Sequence, residues 1–315
     1  MGFSHMGFLI IPTKIMRLTT LSTENNYSHA AIRVGSGYIL IKDINKHFNS
    51  TWNTELYGIL VSGEYYLLKQ WYDRLGEDEL KGLPIKINVR FGRLIGEQHP
   101  VKIVGIGLNY QDHARDLQTT PPTKYPGCFI KTPNTLTAPG GQLILPKIAE
   151  KTTGEGELVL VFTKKSRNVP SDQWIDHVAF TASIDGTIER PFLVGSDSNP
   201  RNLTAAKIFD TSFVVGPELI STDELSTDPM DIEVSTVLNG KVWRKNQVKN
   251  MVFNPGFLVE FFTKFTTFNP GDMISTGTPG AAPLSHGDTI SCRIKGLGNF
   301  PELYSLVIDS KINRL

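Results

Sequence analysis

From residue 98 onward the chain alternates apolar and polar positions over short runs: PGCFIKTP, GQLILP, GELVLVF, HVAFTASID, IEVSTVLNGKVW, DMISTGTPG, DTISCRIKGLG and LYSLVID. A period of two marks strands, and many short strands punctuated by Gly and Pro predict a mainly β sandwich or barrel. Helical spacing is scarce in this part. Its clearest instances are NYQDHARDLQ and NPGFLVEFFTKFT, residues 254–266, with Pro255 in the first turn.

Upstream the pattern changes. MRLTTLST and AAIRVGSGYILIKD, within residues 16–45, read as strands with a hairpin at Gly35-Ser36-Gly37. Over residues 53–80, Leu56, Ile59, Leu60, Tyr65, Leu68, Trp71 and Leu75 recur at helical spacing, which Gly58 and Gly63 break into two pieces. These runs predict a small α/β module over residues 16–97, followed by a larger domain over 98–315. The boundary falls in RFGRLIGEQHP, just before the strand-like VKIVGIGLNY.

Composition narrows the classes. The chain has 315 residues, enough for a large core, and 32 Lys and Arg against 31 Asp and Glu give a net charge of +1. Such a balance leaves no electrostatic footprint for nucleic acid or an anionic membrane. GFLII near the start is cut by Pro12 and Lys14, far short of a membrane span, and no cleavage site follows it. Residues 1–15 are expected to be a flexible tail or, from Ser4-His5-Met6, a cloning remnant. Cys128 and Cys292 are far apart and lack metal spacing, which suits a reducing, cytoplasmic setting.

The candidate chemistry begins at TTGEGELVLVF. Glu155 and Glu157 lie two apart on a strand, so they share a face and repel unless a positive charge lies between them. Asp185, closing HVAFTASID, supplies a third acid at what reads as a strand-to-loop transition. An all-oxygen ligand set favours Mg²⁺ or Mn²⁺, with Ca²⁺ a further option, over zinc. Solvated strand ends would give the same spacing.

His113 and Asp116 lie three apart in NYQDHARDLQ, on one helix face. A carboxylate that fixes the imidazole tautomer makes a general base; a solvated helix carries the same residues. Lys207, flanked by Ala and Ile, reads as an anion clamp or as a lysine reaching out to solvent. The loop STGTPGAAP, with Gly277 and Thr278, offers amides and hydroxyls to a carboxylate, or is simply a turn.

In order along the chain, GIGLNYQDHARD, PGCFIKTP, GEGELVLVF, ASID, AKIFDT, VLNGKVW and FNPGDMISTGTPGAAP resemble the fumarylacetoacetate hydrolase superfamily over residues 100 to about 310. The resemblance implies an α+β, mainly β fold: a mixed β-sandwich roll behind a small N-terminal α/β module, working as a homodimer. It implies Glu155, Glu157 and Asp185 as ligands of Mg²⁺ or Mn²⁺, with no organic cofactor. His113 and Asp116 become a lid dyad that activates water, and Lys207 a catalytic, substrate-contacting residue. Lys131, Arg190, Gly277 and Thr278 become further substrate contacts.

The implied reaction is hydrolysis of a carbon–carbon bond in a 1,3-dicarbonyl or acylpyruvate-type acid. On the same scaffold, 2-oxoacid decarboxylation and enol–keto isomerisation need no attacking water, and a non-catalytic binding protein is a further alternative. The chain departs from the family pattern in three places. Asp116 stands where the family usually has Glu, GTIERPF shifts Arg190 by one position, and NPRNLTAAK lacks a tryptophan before Lys207.

Overall fold

The computed structural model describes residues 16–23, 27–76, 78–194, 202–225 and 227–312. The tail expected over residues 1–15 lies outside them. The N-terminal part contains β1 (Arg17–Ser22), β2 (Ser28–Val34), β3 (Gly37–Leu40), α1 (Ile41–Phe48), α2 (Leu56–Val61) and α3 (Glu64–Arg74). Then follow β4 (Ile103–Gly107), α4 (Gln111–Asp116), β5 (Gly127–Lys131), β6 (Leu136–Thr137), β7 (Gln142–Leu145), β8 (Lys151–Phe162) and β9 (Val178–Arg190). The chain continues through α5 (Leu203–Lys207), β10 (Phe213–Ser221), β11 (Glu233–Leu238), β12 (Lys241–Gln247) and α6 (Pro255–Thr263). It ends in β13 (Met273–Ser275), β14 (Ala281–Pro283), β15 (Thr289–Lys295) and β16 (Leu303–Asp309).

Two mixed sheets result. The larger runs β3-β2-β1-β10-β9-β8-β13-β4-β5, with β14 added on β8 and β6 on β10; the smaller runs β12-β11-β15-β16-β7. β1 pairs antiparallel with β10, so the N-terminal strands extend the same sheet that carries the acids. Beneath that joint, Glu218 is fully buried and accepts from Tyr38 Oη at 2.7 Å, Arg17 Nη1 at 3.3 Å and Arg33 Nη1 at 3.4 Å.

The central strands are buried on both faces, and their alternation sorts two cores. On β8, Leu158, Leu160 and Phe162 pack in the cluster shared with the smaller sheet, while Val159 and Val161 join the cluster around the N-terminal helices. Each fully buried Leu or Phe contributes roughly 1.5–3 kcal/mol relative to an exposed one. α6 starts where Asn254 accepts from the Phe257 amide at 2.9 Å and Pro255 takes the first turn.

Three local expectations change. The strand read through IKD stops at Leu40, because Ile41 and Ile44 bury one helix face and start α1. A short helix, α5, ends on Lys207 in a segment without helical spacing. The acids do not sit at strand ends: β8 begins four residues before Glu155, and β9 continues five beyond Asp185. Length in each strand comes from pairing with the other, since twelve registered pairs join Lys151–Phe162 to Val178–Arg190.

Candidate metal centre and active-site cavity

Along β8 the sequence G-E-G-E divides its work between faces. A Cβ on Gly156 would lie 2.9 Å from the Ser235 carbonyl, and one on Gly154 would lie 2.9 Å from Ile290. These even positions are therefore glycines because the smaller sheet packs against them, and the odd positions turn Glu155 and Glu157 the other way. Glu155 sits directly opposite Asp185, and Glu157 opposite Ser183. Glu155, Glu157 and Asp185 are all buried, and one carboxylate oxygen from each lies within 4.8 Å of the others.

Two lysines neutralise part of this charge. Lys207 Nζ donates to Glu155 Oε2 and Asp185 Oδ2, each at 2.7 Å, and Lys131 Nζ donates to Asp185 Oδ1 at 2.7 Å. Thr187 Oγ1 donates to Glu155 Oε1 at 3.1 Å. Glu157 has hydrogen bonds from Ser275 Oγ at 2.5 Å and the Gly277 amide at 3.0 Å, and among the described residues it faces no ammonium at contact distance. Burial, reinforced by Asp185 and Glu155, pushes its carboxyl up to about 8. The buried set thus holds three acids against two ammonium groups, and the acid without an ammonium partner retains a proton near neutrality. The oxygen-only ligands and this missing positive charge fit a hard divalent cation.

The acids open onto a cavity of about 1220 Å³. Glu155, Lys207, His113, Asp116 and Thr278 all line it, together with Trp243 and Arg244 from β12. His113 is buried, and its Nδ1 has no hydrogen-bond partner among the described residues. Burial lowers its pKa below the ordinary histidine value; Lys207 acts the same way, while Glu155 and Asp116 oppose it. Asp116 is not hydrogen-bonded to His113. Its carboxylate accepts from Arg244 Nε at 2.8 Å and Nη2 at 3.2 Å, and this guanidinium holds it below the usual carboxylate range.

The other sequence candidates divide. Thr278 is buried in the loop after β13, within 3.2 Å of Thr236 Oγ1, and Gly277 adopts φ 95°. Lys131 lies beneath Asp185 and does not line the cavity. Arg190 is exposed at the end of β9 and likewise contributes nothing to the wall. Sequence reading missed Ser275, Thr187 and Arg244. Thr187 was accessible from spacing, since it lies two residues beyond Asp185 on the same strand face. Arg244 gave no such signal, because its partner is 128 residues away in sequence.

This architecture and site correspond to a known class. Residues 102–302 match the family described as fumarylacetoacetate (FAA) hydrolase C-terminal, and the chain belongs to that family. It is 36% identical over 201 residues to the uncharacterized protein PH0643 of Pyrococcus horikoshii, a match covering 63% of this chain and 86% of that one. It is 32% identical over 208 residues to human mitochondrial oxaloacetate tautomerase FAHD2B, covering 63% of this chain and 65% of that protein. Maleylpyruvate hydrolase from Sphingobium sp. SYK-6, solved with manganese(II) and pyruvate, superposes with a TM-score of 0.73 at 21% identity. That match covers 93% of this chain and 99% of the other. At that identity the structural match establishes the fold, which is the mainly β, two-sheet arrangement expected from the sequence. Family members are enzymes, among them hydrolases, isomerases and decarboxylases that act on small-molecule acids.

Proposed function

We propose that this chain is a divalent-metal-dependent enzyme acting on a small 2-oxoacid or 1,3-dicarbonyl acid through its enolate. The observation that carries the proposal is the buried Glu155, Glu157 and Asp185 cluster, in which Glu157 has no cationic partner among the described residues. These three residues would hold Mg²⁺ or Mn²⁺. When bound there, such an ion polarises a carbonyl and favours the enolate form of the substrate.

The rest falls to the chain's own groups. Lys207, buried against Glu155 and Asp185, fixes both carboxylates and sets the positive edge of the cavity floor. Thr278 and the Gly277 turn stand beside the acids to orient a substrate carboxylate. His113, kept neutral by burial, takes or returns a proton at the carbon next to the carbonyl.

Proton transfer, as in enol–keto tautomerisation, is the reaction this geometry supports best, because Asp116, the carboxylate a water-activating dyad needs, is held by Arg244. Carbon–carbon bond hydrolysis is the second reading. It is favoured by the bare Nδ1 of His113, which Asp116 would reach on leaving Arg244 and so complete a water-activating dyad. A homodimer in a reducing, cytoplasmic compartment belongs to the same proposal. It is supported by free Cys128 and Cys292 and by the exposed aromatic rings of Tyr125, Phe257 and Phe265.

The test is turnover of oxaloacetate enol, acylpyruvates and larger β-diketones with Mg²⁺ or Mn²⁺, with products followed by proton NMR in D₂O. Metal-dependent enol–keto exchange that His113→Ala abolishes supports the leading reading, and cleaved products support the second. No metal-dependent conversion of any of these acids sinks both.

A further inference from the structure

Arg244 has no role in the reaction just described, yet it is the most deliberately seated cation on the cavity wall. It comes from β12, placed by the two-residue turn Asn239-Gly240, whose φ values of 51° and 77° suit a tight hairpin. Its aliphatic stem fills a notch left by Gly280, where an added Cβ would lie 2.4 Å from Arg244 Cγ. Its guanidinium stands 5.9 Å from the Trp243 ring centre, and both residues line the cavity.

Three features point to a carboxylate-bearing ligand. Arg244 already holds a carboxylate by two prongs, Nε to Asp116 Oδ2 and Nη2 to Asp116 Oδ1, the planar match that arginine gives and lysine does not. The pair is exchangeable, since the two side chains are 46% and 39% exposed and belong to separate elements, β12 and α4. The other cavity cations are committed elsewhere: Lys207 to Glu155 and Asp185, and Lys151 to Glu189 on the adjoining strand.

Position fixes what such a ligand would look like. Gly280 precedes Ala281, which is the register partner of Glu155 on β8. The Arg244 stem therefore stands on the order of 10 Å from the Glu155 backbone, about two strand spacings away. That separation is too long for the head of an oxoacid and suits a second carboxylate a few carbons further on. The cavity of about 1220 Å³ has room for both ends.

We infer that Arg244 is a specificity-determining residue that binds the distal carboxylate of a dicarboxylic oxoacid, and that Asp116 competes with that carboxylate for the same guanidinium. The inference rests on the proposed function, in which the oxoacid head sits at Glu155, Glu157 and Asp185. Binding of the distal carboxylate releases Asp116 toward His113, so occupancy of the far end is communicated to α4.

The test is calorimetric titration of the Mg²⁺-loaded protein with oxalate, which offers the head group alone, and with 2-oxoglutarate and 2-oxoadipate, which add the distal carboxylate. Arg244→Gln is expected to weaken the better-bound dicarboxylate at least about tenfold, as loss of a charged two-pronged contact should, while oxalate changes less than about twofold. Arg244→Lys is expected to fall between the two. Asp116→Asn, which removes the internal competitor, is expected to tighten the dicarboxylate and leave oxalate alone. Dicarboxylate binding indifferent to residue 244, or oxalate weakened equally, overturns this inference alone. Failure of the wild type to bind oxalate overturns the metal-centre reading and this inference with it.

Discussion

Glu155 and Asp185 face each other as direct register partners on β8 and β9, and Lys207 bridges them with two contacts of 2.7 Å. A cross-strand pair of acids is destabilising by itself, so the lysine is part of the fold as much as of the site. Asp185 also receives Lys131. Glu157, two residues along the same strand face, receives only a hydroxyl and an amide among the described residues.

That asymmetry predicts different outcomes for two similar substitutions in metal-free protein. Asp185→Ala leaves Lys131 buried without its carboxylate and takes one of the two carboxylates from Lys207, and is expected to cost about 3–5 kcal/mol. Glu157→Gln keeps the volume and replaces a carboxyl that carries a proton near neutrality with another uncharged group, so it is expected to be close to neutral. Urea unfolding of both variants in EDTA measures the difference. A larger loss from Glu157→Gln than from Asp185→Ala would contradict this charge assignment.

Much of this was legible in the sequence, and what was not has physical causes. The strands and the pairing of two acids on one face follow from a period of two, and α6 from its cap and proline. A period of two does not say why residues 154 and 156 are glycine. They are interior positions where the smaller sheet comes close, which only the tertiary packing reveals. The spacing of His113 and Asp116 placed both on one helix, but not the carboxylate's preference for Arg244, since a contact from another element outcompetes a neighbour on the same turn.

The lowered pKa of His113 carries a pH prediction. In the unfolded chain the imidazole titrates near 6.5, and in the folded protein it titrates lower because burial disfavours its charged form. Between those two values the unfolded state binds more protons, so stability falls as the pH drops from about 6.5 toward the folded value. The neutral base likewise survives below pH 6.5. The acid limb of kcat/KM is expected below that pH, and a His113 resonance titrating at or above 6.5 would contradict it.

Glu218 ties the N-terminal strands to the main sheet. Tyr38→Phe removes a 2.7 Å hydrogen bond to a buried carboxylate and is expected to cost about 1.5–3 kcal/mol. Glu218→Ala leaves Arg17 buried without its counter-charge and is expected to cost about 3–5 kcal/mol. Because β1 pairs with β10, both variants are expected to unfold in one transition; two separated transitions would show that residues 16–97 form an independent unit.

Gly277 has φ 95°, and an added Cβ would lie 2.8 Å from Asn109 Cβ and 3.1 Å from the Ile106 carbonyl. Gly277→Ala is expected to cost about 1–3 kcal/mol from backbone strain, and to disturb the amide that holds Glu157. Urea unfolding reads the first effect, and metal affinity the second.

The most direct measurement of the central claim is an electron paramagnetic resonance titration with Mn²⁺. It compares the wild type with the triple variant Glu155→Gln, Glu157→Gln, Asp185→Asn. One Mn²⁺ bound per chain in the wild type and none in the variant is the predicted result. A wild type that binds no Mn²⁺, or a variant that binds it equally well, would contradict the assignment of these acids as the metal centre.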